Sequence, residues 1–202
     1  MFLFGITGGI GSGKTTVCNL LKAEGVPIIE ADPLAKELTN TLPQIRHALV
    51  KEFGEDIYNA AGQFDKRKLN QLVFADPATR KRVEQIIHPH VLHHIREKAK
   101  RLADEERQTL IGVEAALIYE SQLDKMLDAV VVVTAPLDKR VAWLQKRNPL
   151  SREEIIQRMQ AQMPESETLP RADYVVSNEG SLAELKQQSE KLLQWLLTQT
   201  DF

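Results

Sequence analysis

Five short apolar segments along the chain predict β-strands. They lie at residues 2–6, 26–29, 110–113, 129–133 and 172–176. The fourth segment is apolar at every position, which is typical of a parallel strand buried on both faces. Between the segments, apolar residues recur at spacings of three and four, as they do in amphipathic helices. This alternation predicts an α/β protein with a parallel sheet, helices on both of its faces and right-handed crossovers.

Between the second and third predicted strands, residues 34–107 contain no convincing strand pattern. We expect an all-helical insertion there. The pair His88-Pro89 is expected to interrupt the chain before a long helix, because proline disrupts the interior of a helix. The apolar stripe of that long helix consists of Val91, Ile95, Ala99 and Leu102.

The last third of the chain carries clear helix signals. A helix is predicted over about 137–147, and the polar stretch 148–171 opens with the capping box Ser151-x-x-Glu154. A second capping pair, Ser181-x-x-Glu184, precedes the final helix. The apolar stripe of the final helix is predicted to consist of Leu182, Leu185, Leu192 and Leu196.

The composition is that of an ordinary globular protein. Of 202 residues, 43% are hydrophobic and 27% are charged, and the formal net charge is −2. This charge lacks the basic footprint of a nucleic-acid-binding protein. No apolar run approaches the ~20 residues that span a membrane, and Met1 leads directly into the first predicted strand. We therefore expect a soluble cytoplasmic protein, a monomer or weak homo-oligomer, that binds neither nucleic acid nor membranes.

The most informative stretch follows the first predicted strand and reads Gly8-Gly9-Ile10-Gly11-Ser12-Gly13-Lys14-Thr15-Thr16. It fits the phosphate-binding pattern G-x-x-x-x-G-K-S/T, in which the lysine reaches the β- and γ-phosphates and the hydroxyl ligates Mg²⁺. Glycines let successive backbone N–H groups point at one anion. The sequence predicts a P-loop NTPase fold with a three-layer αβα core. The predicted ATP contacts are Gly9, Ile10, Gly11, Ser12, Gly13, Lys14, Thr15 and Thr16, and Thr15 is also the predicted Mg²⁺ ligand.

Other features indicate what happens to the γ-phosphate. The GTPase strings N-K-x-D and D-x-x-G do not occur in the sequence. Asp32 ends the second predicted strand, which we expect beside the first, so that its carboxylate faces the γ-phosphate as a base. Asp32 also has the alternative role of an N-cap for a helix that begins at Pro33. The helical insertion is suited to hold an acceptor, and the basic residues of a lid follow: Lys139, Arg140, Lys146, Arg147, Arg152 and Arg158.

Further motifs extend over nearly the whole chain. They are the loop form Thr7-Gly8-Gly9-Ile10-Gly11-Ser12-Gly13-Lys14, Ala31-Asp32 followed by Leu34-Ala35-Lys36-Glu37, Phe53-Gly54, Phe74, Ile87-His88-Pro89, Leu117-Ile118-Tyr119-Glu120, Ala161-Gln162-Met163-Pro164, Ala172-Asp173 and Asn178-Glu179-Gly180. In these motifs the chain resembles the dephospho-CoA kinase family, which catalyses the last step of coenzyme A synthesis. The loop form is more specific than a bare phosphate loop.

The resemblance implies ATP-dependent phosphorylation of the 3′-hydroxyl group of dephospho-CoA, with Mg²⁺ as the metal. It implies that Asp32 is the base or the orienting group for that hydroxyl, and that Arg140 and Arg147 act with Lys14 on the phosphates. Asn178 is expected in the nucleotide pocket. The expected substrate contacts besides Asp32 are His88, Leu117 and Glu120.

The predicted division of the chain has three parts. The nucleotide-binding core comprises residues 1–33, 108–142 and 172–202. The helical acceptor domain covers residues 34–107, and the lid covers residues 143–171.

The chain departs from the family pattern at three positions. Glu30 stands where the family usually has aspartate, Ala116 replaces a common proline, and Trp143 aligns with a frequent arginine. Two alternatives therefore accompany the main interpretation: a P-loop kinase of another small acceptor, such as a nucleoside or nucleoside monophosphate, and an ATP-binding homologue that has lost activity.

Overall fold

The computed structural model describes residues 1–76, 78–147 and 150–200, except for the side chain of Phe74. Residues 148–149 of the predicted lid, residues 201–202 of the predicted core and the Phe74 side chain therefore lie outside the described part. The chain forms two compact units, one comprising Met1–Glu30 and Lys98–Phe202 and the other Ala31–Glu97. The second unit begins three residues before the start of the predicted acceptor domain and ends ten residues before the end of that domain.

The first unit contains a five-stranded parallel sheet, as predicted. Its strands are β1 (Phe2–Thr7), β2 (Ile28–Glu30), β3 (Leu110–Glu114), β4 (Ala129–Thr134) and β5 (Tyr174–Ser177). The strand order is β2-β3-β1-β4-β5. Strand β4 lies inside the sheet and is buried from Ala129 to Val133, which explains why these five positions are all apolar.

The expectation that β2 lies beside β1 is wrong, because β3 lies between them. Gly112 of β3 pairs with Phe4 of β1 and with Ile28 of β2. A Cβ atom at Gly112 would overlap the Ile28 side chain and stand 3.0 Å from the Phe4 ring. The three-residue β2 has half-buried ends and occupies the edge, whereas the longer apolar strands take the centre.

The helices of both units alternate with the strands or follow one another. They are α1 (Lys14–Ala23), α2 (Ala31–Thr41), α3 (Pro43–Phe53), α4 (Lys66–Ala75), α5 (Ala78–Glu105), α6 (Leu137–Arg147), α7 (Arg152–Gln160), α8 (Glu165–Thr168) and α9 (Leu182–Thr200). Short 3₁₀ turns lie at 55–57, 123–126 and 169–171. None of the helices in the described ranges combines the length and the apolar character that crossing a bilayer requires.

The core of the first unit lies where α1 and α9 cover β1 and β4. Its members include Phe4, Ile6, Val17, Cys18, Leu21, Val131, Val133, Leu185, Leu192 and Leu196. Cys18 is a free, fully buried cysteine. Burial raises the pKa of its thiol far above the ordinary value, with the charge of Glu114 acting in the same direction, so the thiol stays protonated.

The predicted stripe of α9 is correct except at its first position. Leu182 is 68% exposed, whereas Leu185, Ser189 and Leu192 are buried. Leu182 is the first residue of the helix, one turn before the residues that reach the core, and Ser189 fills the spacing between Leu185 and Leu192. The Ser189 hydroxyl is satisfied within the helix because it donates to the carbonyl of Leu185 at 2.9 Å.

Both predicted capping pairs form. The hydroxyl of Ser151 accepts from the N–H of Glu154 at 3.1 Å, and the Glu154 carboxylate accepts from the N–H of Ser151 at 2.7 Å. Ser181 and Glu184 make the same reciprocal pair before α9. These contacts depend only on residues three apart, which is why the sequence predicts them well.

The second unit consists of helices, and among its described residues the only β-pairing is a single bridge between Tyr58 and Phe64. The Tyr58 hydroxyl donates to the carbonyl of Thr39 at 2.7 Å, and the two rings meet edge to face. Burial raises the pKa of Tyr58 above its ordinary value, and the nearby Arg46 opposes that shift. Ile45, Leu49 and Ile57 are also fully buried in this unit.

The expected chain break at His88-Pro89 is wrong. A single helix, α5, runs over 28 residues and contains Pro89 in its interior. An interior proline loses one helical hydrogen bond and costs about 3 kcal/mol. The helix continues because its apolar stripe continues on both sides of the proline: Val83 before it, and Val91, Ile95, Ala99 and Leu102 after it, are all buried.

Candidate active site

The phosphate loop connects β1 to α1 and has the backbone that its glycines permit. Gly8, Gly11 and Gly13 have φ angles of 143°, 78° and 102°, in the region that side chains disfavour. A Cβ atom at Gly8 would also overlap the carbonyl oxygen of Val133 on β4. The helix begins at Lys14 without a capping side chain. No side chain therefore covers the N-terminus of α1, the end of a helix that favours anions.

Lys14 is held at the loop. Its Nζ donates to the carbonyl of Gly8 at 2.7 Å and to that of Gly9 at 3.3 Å. The ammonium therefore lies over the loop backbone, the position from which a P-loop lysine binds the β- and γ-phosphates.

Glu114 is a residue of the site that the sequence interpretation missed. It ends β3, and its Oε1 accepts a hydrogen bond from the Thr15 hydroxyl at 2.9 Å. In the sheet register it lies opposite Ile6 of β1 and Glu30 of β2. An acidic residue after four apolar positions, in Leu110-Ile111-Gly112-Val113-Glu114, is the signal that was available in the sequence.

Arg140 lies beneath the loop. Its Nε donates to the carbonyl of Ile10 at 3.0 Å, and one terminal nitrogen donates to Glu165 at 2.7 Å. Only 7% of the residue is exposed, and a Cβ atom at Gly9 would overlap its guanidinium. Burial lowers the pKa of Arg140, and the charge of Glu165 opposes the shift, so the guanidinium is paired rather than free.

A short segment after α7 is attached to the same loop. Oε1 of Gln162 accepts from the N–H of Ile10 at 2.8 Å, and Nε2 of Gln162 donates to the carbonyl of Ala116 at 3.1 Å. The N–H of Met163 donates to the Glu120 carboxylate at 2.8 Å. Within the predicted lid, this part is bonded to the core.

A cavity of about 400 Å³ opens beside the loop. Trp143, Arg147, Asn178 and Gly180 line it together with loop residues. Asn178 is buried, and its Nδ2 donates to the carbonyl of Ser12 at 2.9 Å. The cavity therefore adjoins the predicted phosphate site and has the aromatic and polar groups that suit a nucleobase.

The remaining predicted substrate residues lie in both units. Leu117 and Glu120 follow β3 in the first unit, whereas Asp32 and His88 belong to the second. Asp32 is exposed in the first turn of α2, which begins at Ala31. The alternative role of Asp32 as the N-cap is therefore wrong, because the helix starts one residue before it. His88 is half-buried on α5, and burial lowers its pKa while the charge of Glu84 opposes the shift.

The second unit has a cavity of its own, which the sequence interpretation did not foresee. Its volume is about 610 Å³, and Arg46, His47, Glu55, Tyr58 and Asn59 are among the residues that line it. The guanidinium of Arg46 lies 4.2 Å from the centre of the Tyr58 ring. The lining combines charged, polar and aromatic groups, and these residues are distant in sequence from the phosphate loop.

The fold and the loop define the class of protein. This protein has the parts of a phosphate-loop kinase. The parallel sheet carries a G-x-x-x-x-G-K-T loop after its first strand, the Thr15 hydroxyl of that loop pairs with a carboxylate, and basic side chains lie around the loop. Comparison with known proteins gives the family.

The sequence profile of the dephospho-CoA kinase family matches residues 2–184. A dephospho-CoA kinase of Chlorobaculum tepidum is 40% identical over 200 residues, which cover 97% of this chain and 95% of that protein. A crystal structure of a Thermus thermophilus protein superposes with a TM-score of 0.80 at 36% identity, covering 96% and 97% of the two chains. Dephospho-CoA kinase from Campylobacter jejuni gives a TM-score of 0.69 at 26% identity, with 95% of each chain covered.

The chain belongs to the dephospho-CoA kinase family. The predicted fold class, enzyme class and function are thereby confirmed: members of this family use ATP to phosphorylate dephospho-CoA in the final step of coenzyme A synthesis.

Proposed function

We propose that this chain transfers the γ-phosphoryl group of ATP to the 3′-hydroxyl group of dephospho-CoA at the phosphate loop. The observation that carries the proposal is the arrangement of Lys14, Thr15 and Glu114 around a helix N-terminus that no side chain caps, in a member of this family. Phosphoryl transfer needs little covalent chemistry from the protein, so positioning and charge neutralisation supply most of the lowering of the barrier.

In this proposal the loop binds the triphosphate of ATP. The residues from Gly9 to Thr16 surround the phosphates, and their backbone N–H groups donate to phosphate oxygens, apart from those of Ile10, Ser12 and Thr16, which donate to Gln162, Gly9 and Gly13. Lys14 exchanges its carbonyl partners for the β- and γ-phosphates. The cavity lined by Trp143, Arg147 and Asn178 holds the adenosine part. This is supported by its continuity with Gly13 and Thr15, which line the same cavity.

Thr15 and Glu114 are the proposed protein contacts of Mg²⁺. Magnesium prefers oxygen ligands and usually binds through one or two carboxylates together with substrate phosphates and waters. A hydroxyl and a carboxylate 2.9 Å apart beside the loop fit that donor set. When bound, the ion neutralises charge on the phosphates. The residues of this chain hold the loop side of the site, and Glu114 orients the Thr15 hydroxyl.

Asp32 is the proposed base or orienting group for the acceptor hydroxyl. It comes two residues after Glu30, the last residue of β2, and ligands of parallel sheets bind outside the carboxyl ends of the strands. The carboxylate is exposed and therefore accessible to a substrate. We propose His88, Leu117 and Glu120 as further contacts of dephospho-CoA.

The two arginines have different proposed roles. Arg147 is exposed on α6 and lines the nucleotide cavity, so it is the candidate to meet phosphate directly. Arg140 is buried against Gly9 and Ile10 and paired with Glu165. Its proposed role is to hold the loop through the hydrogen bond to the carbonyl of Ile10. Trp143, one turn before Arg147, replaces the arginine frequent in the family and faces the same cavity.

Three broader assignments complete the proposal. Residues 34–107 form the acceptor domain and residues 143–171 the lid, with the core formed by the remaining segments. The protein acts in the cytoplasm. It acts as a monomer or a weak homo-oligomer, which sedimentation at micromolar concentration tests.

The test of the proposed function is ADP release from ATP and Mg²⁺ with and without dephospho-CoA. Adenosine, AMP, CMP and shikimate serve as competing acceptors, and mass spectrometry checks the product. We expect ADP release with dephospho-CoA and a product heavier by one phosphoryl group. Turnover on another acceptor only would overturn the substrate, and tight ATP binding without any turnover would indicate an inactive homologue.

A further inference from the structure

One side chain, that of Gln162, joins the phosphate loop to the segment that follows β3. Its carbonyl end accepts from the N–H of Ile10 at 2.8 Å, and its amino end donates to the carbonyl of Ala116 at 3.1 Å. The orientation of the amide is fixed because Ile10 offers a donor and Ala116 an acceptor. The two hydrogen bonds therefore form together or are lost together when the amide rotates.

The backbone of Ile10 is held at its carbonyl as well. Its carbonyl accepts from Nε of Arg140 at 3.0 Å, and Arg140 is in turn bound by Glu165 at 2.7 Å. The Glu165 carboxylate also accepts from the Thr134 hydroxyl at 3.1 Å, at the end of β4. Gln162 and Arg140 thus fix both polar groups of the same loop residue from outside the loop.

The segment at the other end of Gln162 also lies at the ligand-binding edge of the sheet. The N–H of Ala115 donates to the carbonyl of Ile6 at 3.1 Å, so the segment starts beside the last residues of β1. Parallel sheets bind ligands outside the carboxyl ends of their strands. Leu117 and Glu120, the proposed acceptor contacts, follow directly in this segment. The Glu120 carboxylate accepts from the N–H of Met163, the residue after Gln162.

We propose that Gln162 is a positioning residue that couples nucleotide binding to acceptor binding. The proposal rests on the proposed function, in which the acceptor is dephospho-CoA. Phosphates that order the loop fix the Ile10 N–H, which fixes the Gln162 amide and through it the carbonyl of Ala116. An acceptor bound against residues 115–120 orders the same chain of contacts from the other end, since such coupling is reciprocal.

The experiment compares the Kd of dephospho-CoA with and without Mg²⁺ and a non-hydrolysable ATP analogue, by isothermal titration calorimetry. For the wild-type protein we expect the nucleotide analogue to tighten acceptor binding about fivefold or more, the lower end of typical coupling. Gln162→Met removes both hydrogen bonds at nearly constant length. Gln162→Glu keeps an acceptor for Ile10 and loses the donor to Ala116. Both variants are expected to bring the ratio of the two Kd values close to one.

The ratio separates coupling from a simple loss of affinity. A constant effect of the Gln162→Glu charge on either ligand cancels, because both Kd values come from the same variant. Gln157→Met, at an exposed glutamine of α7, is the matched control and should keep the wild-type ratio. A wild-type ratio of one, or an unchanged ratio in Gln162→Met, would overturn the proposal.

A second measurement needs no acceptor and separates this inference from the proposed function. Hydrogen exchange at the Ile10 amide should be faster in Gln162→Met than in the wild type, and ADP affinity should fall about threefold to tenfold, the effect of one lost hydrogen bond. Unchanged exchange would overturn the positioning role. Failure of the wild-type protein to bind dephospho-CoA, with Ile10 exchange still controlled by Gln162, would instead overturn the acceptor assignment and the coupling with it.

Discussion

The hydroxyl of Thr15 donates a hydrogen bond to the carboxylate of Glu114 at 2.9 Å, although the two residues are 99 positions apart in the chain. The pair brings a loop hydroxyl and the end of a neighbouring strand together, and its oxygens form the donor set that we propose for Mg²⁺.

Replacing Glu114 by glutamine tests this pair. The amide keeps the size of the side chain but removes the negative charge, so we expect weaker Mg²⁺ dependence of nucleotide binding and a higher Mg²⁺ concentration for half-maximal turnover. Calorimetric titration of ADP with and without Mg²⁺ measures the first effect. Glu24→Gln, at an exposed position after α1, is the control. Identical Mg²⁺ dependence in both variants would contradict the metal role.

Removing the Lys14 ammonium should strongly reduce turnover and change the melting temperature little. Lys14→Ala loses the cation that lies over the Gly8 carbonyl, and the loss of one preorganised hydrogen-bond donor typically costs about 10²- to 10³-fold in rate. Steady-state kinetics and a thermal melt give the two readouts. Lys186→Ala, at an exposed position of α9, should leave both unchanged. Near-normal kcat in Lys14→Ala would refute the loop assignment.

The proposed base is tested by Asp32→Asn. The substitution retains the side-chain volume but cannot accept the proton of the acceptor hydroxyl, so kcat should fall by about 10²- to 10⁴-fold, the usual contribution of general base catalysis. Nucleotide affinity should stay within about twofold, because the phosphates contact the loop instead. Glu37→Gln, exposed on the same helix, is the matched control. Full turnover in Asp32→Asn would exclude the base role.

Asn178 supports the phosphate loop through a buried contact. Asn178→Ala removes the Nδ2 donor and leaves the carbonyl of Ser12 without this partner, which typically costs about 1–3 kcal/mol. We expect a lower free energy of unfolding in urea and weaker ADP binding. Asn19→Ala, an exposed position of α1, controls for the loss of an asparagine. If stability falls but ADP affinity does not, Asn178 is structural only.

The pKa of His88 makes stability depend on pH. Burial lowers that pKa in the folded protein, whereas an unfolded histidine titrates near ~6.5. As the pH falls through about 6.5, the unfolded chain binds a proton that the folded chain does not yet bind. The contribution of the neutral His88 to the free energy of unfolding is therefore fully present above that pH and is lost as the pH falls further. The free energy of unfolding changes by at most about 1.4 kcal/mol per pH unit from this group.

Urea unfolding between pH 7.5 and 5.5 measures this contribution. His88→Asn should flatten the pH dependence of the free energy of unfolding, whereas His93→Asn, at an exposed neighbour on α5, should not. The same slope in His88→Asn and in the wild type would show that another group is responsible.

The elements that the sequence predicted well depend on local patterns. The phosphate loop is a run of nine residues, Gly8 to Thr16. Three of its glycines adopt positive φ angles, which few other residues adopt. Ser151 with Glu154 and Ser181 with Glu184 act within one turn of their own helices. The family resemblance adds the substrate, which no local pattern specifies.

Two expectations failed because tertiary packing changed the result of a local rule. The pair His88-Pro89 was expected to interrupt the chain before a long helix, but the apolar stripe on both sides of Pro89 keeps α5 continuous. The second strand was expected beside the first, but strand order depends on which strands bury both faces. The three-residue β2 therefore lies at the edge, and β3 pairs with β1 instead.

The sequence by itself determined the αβα class, the phosphate loop, the helix caps and, through its motifs, the family. The tertiary structure decided which distant groups support the loop: Glu114 on Thr15, Asn178 on Ser12, and Gln162 and Arg140 on Ile10. These contacts join residues from 99 to 166 positions apart. Their geometry depends on strand order and helix packing, which are fixed by burial over the whole chain rather than by spacing within any one segment.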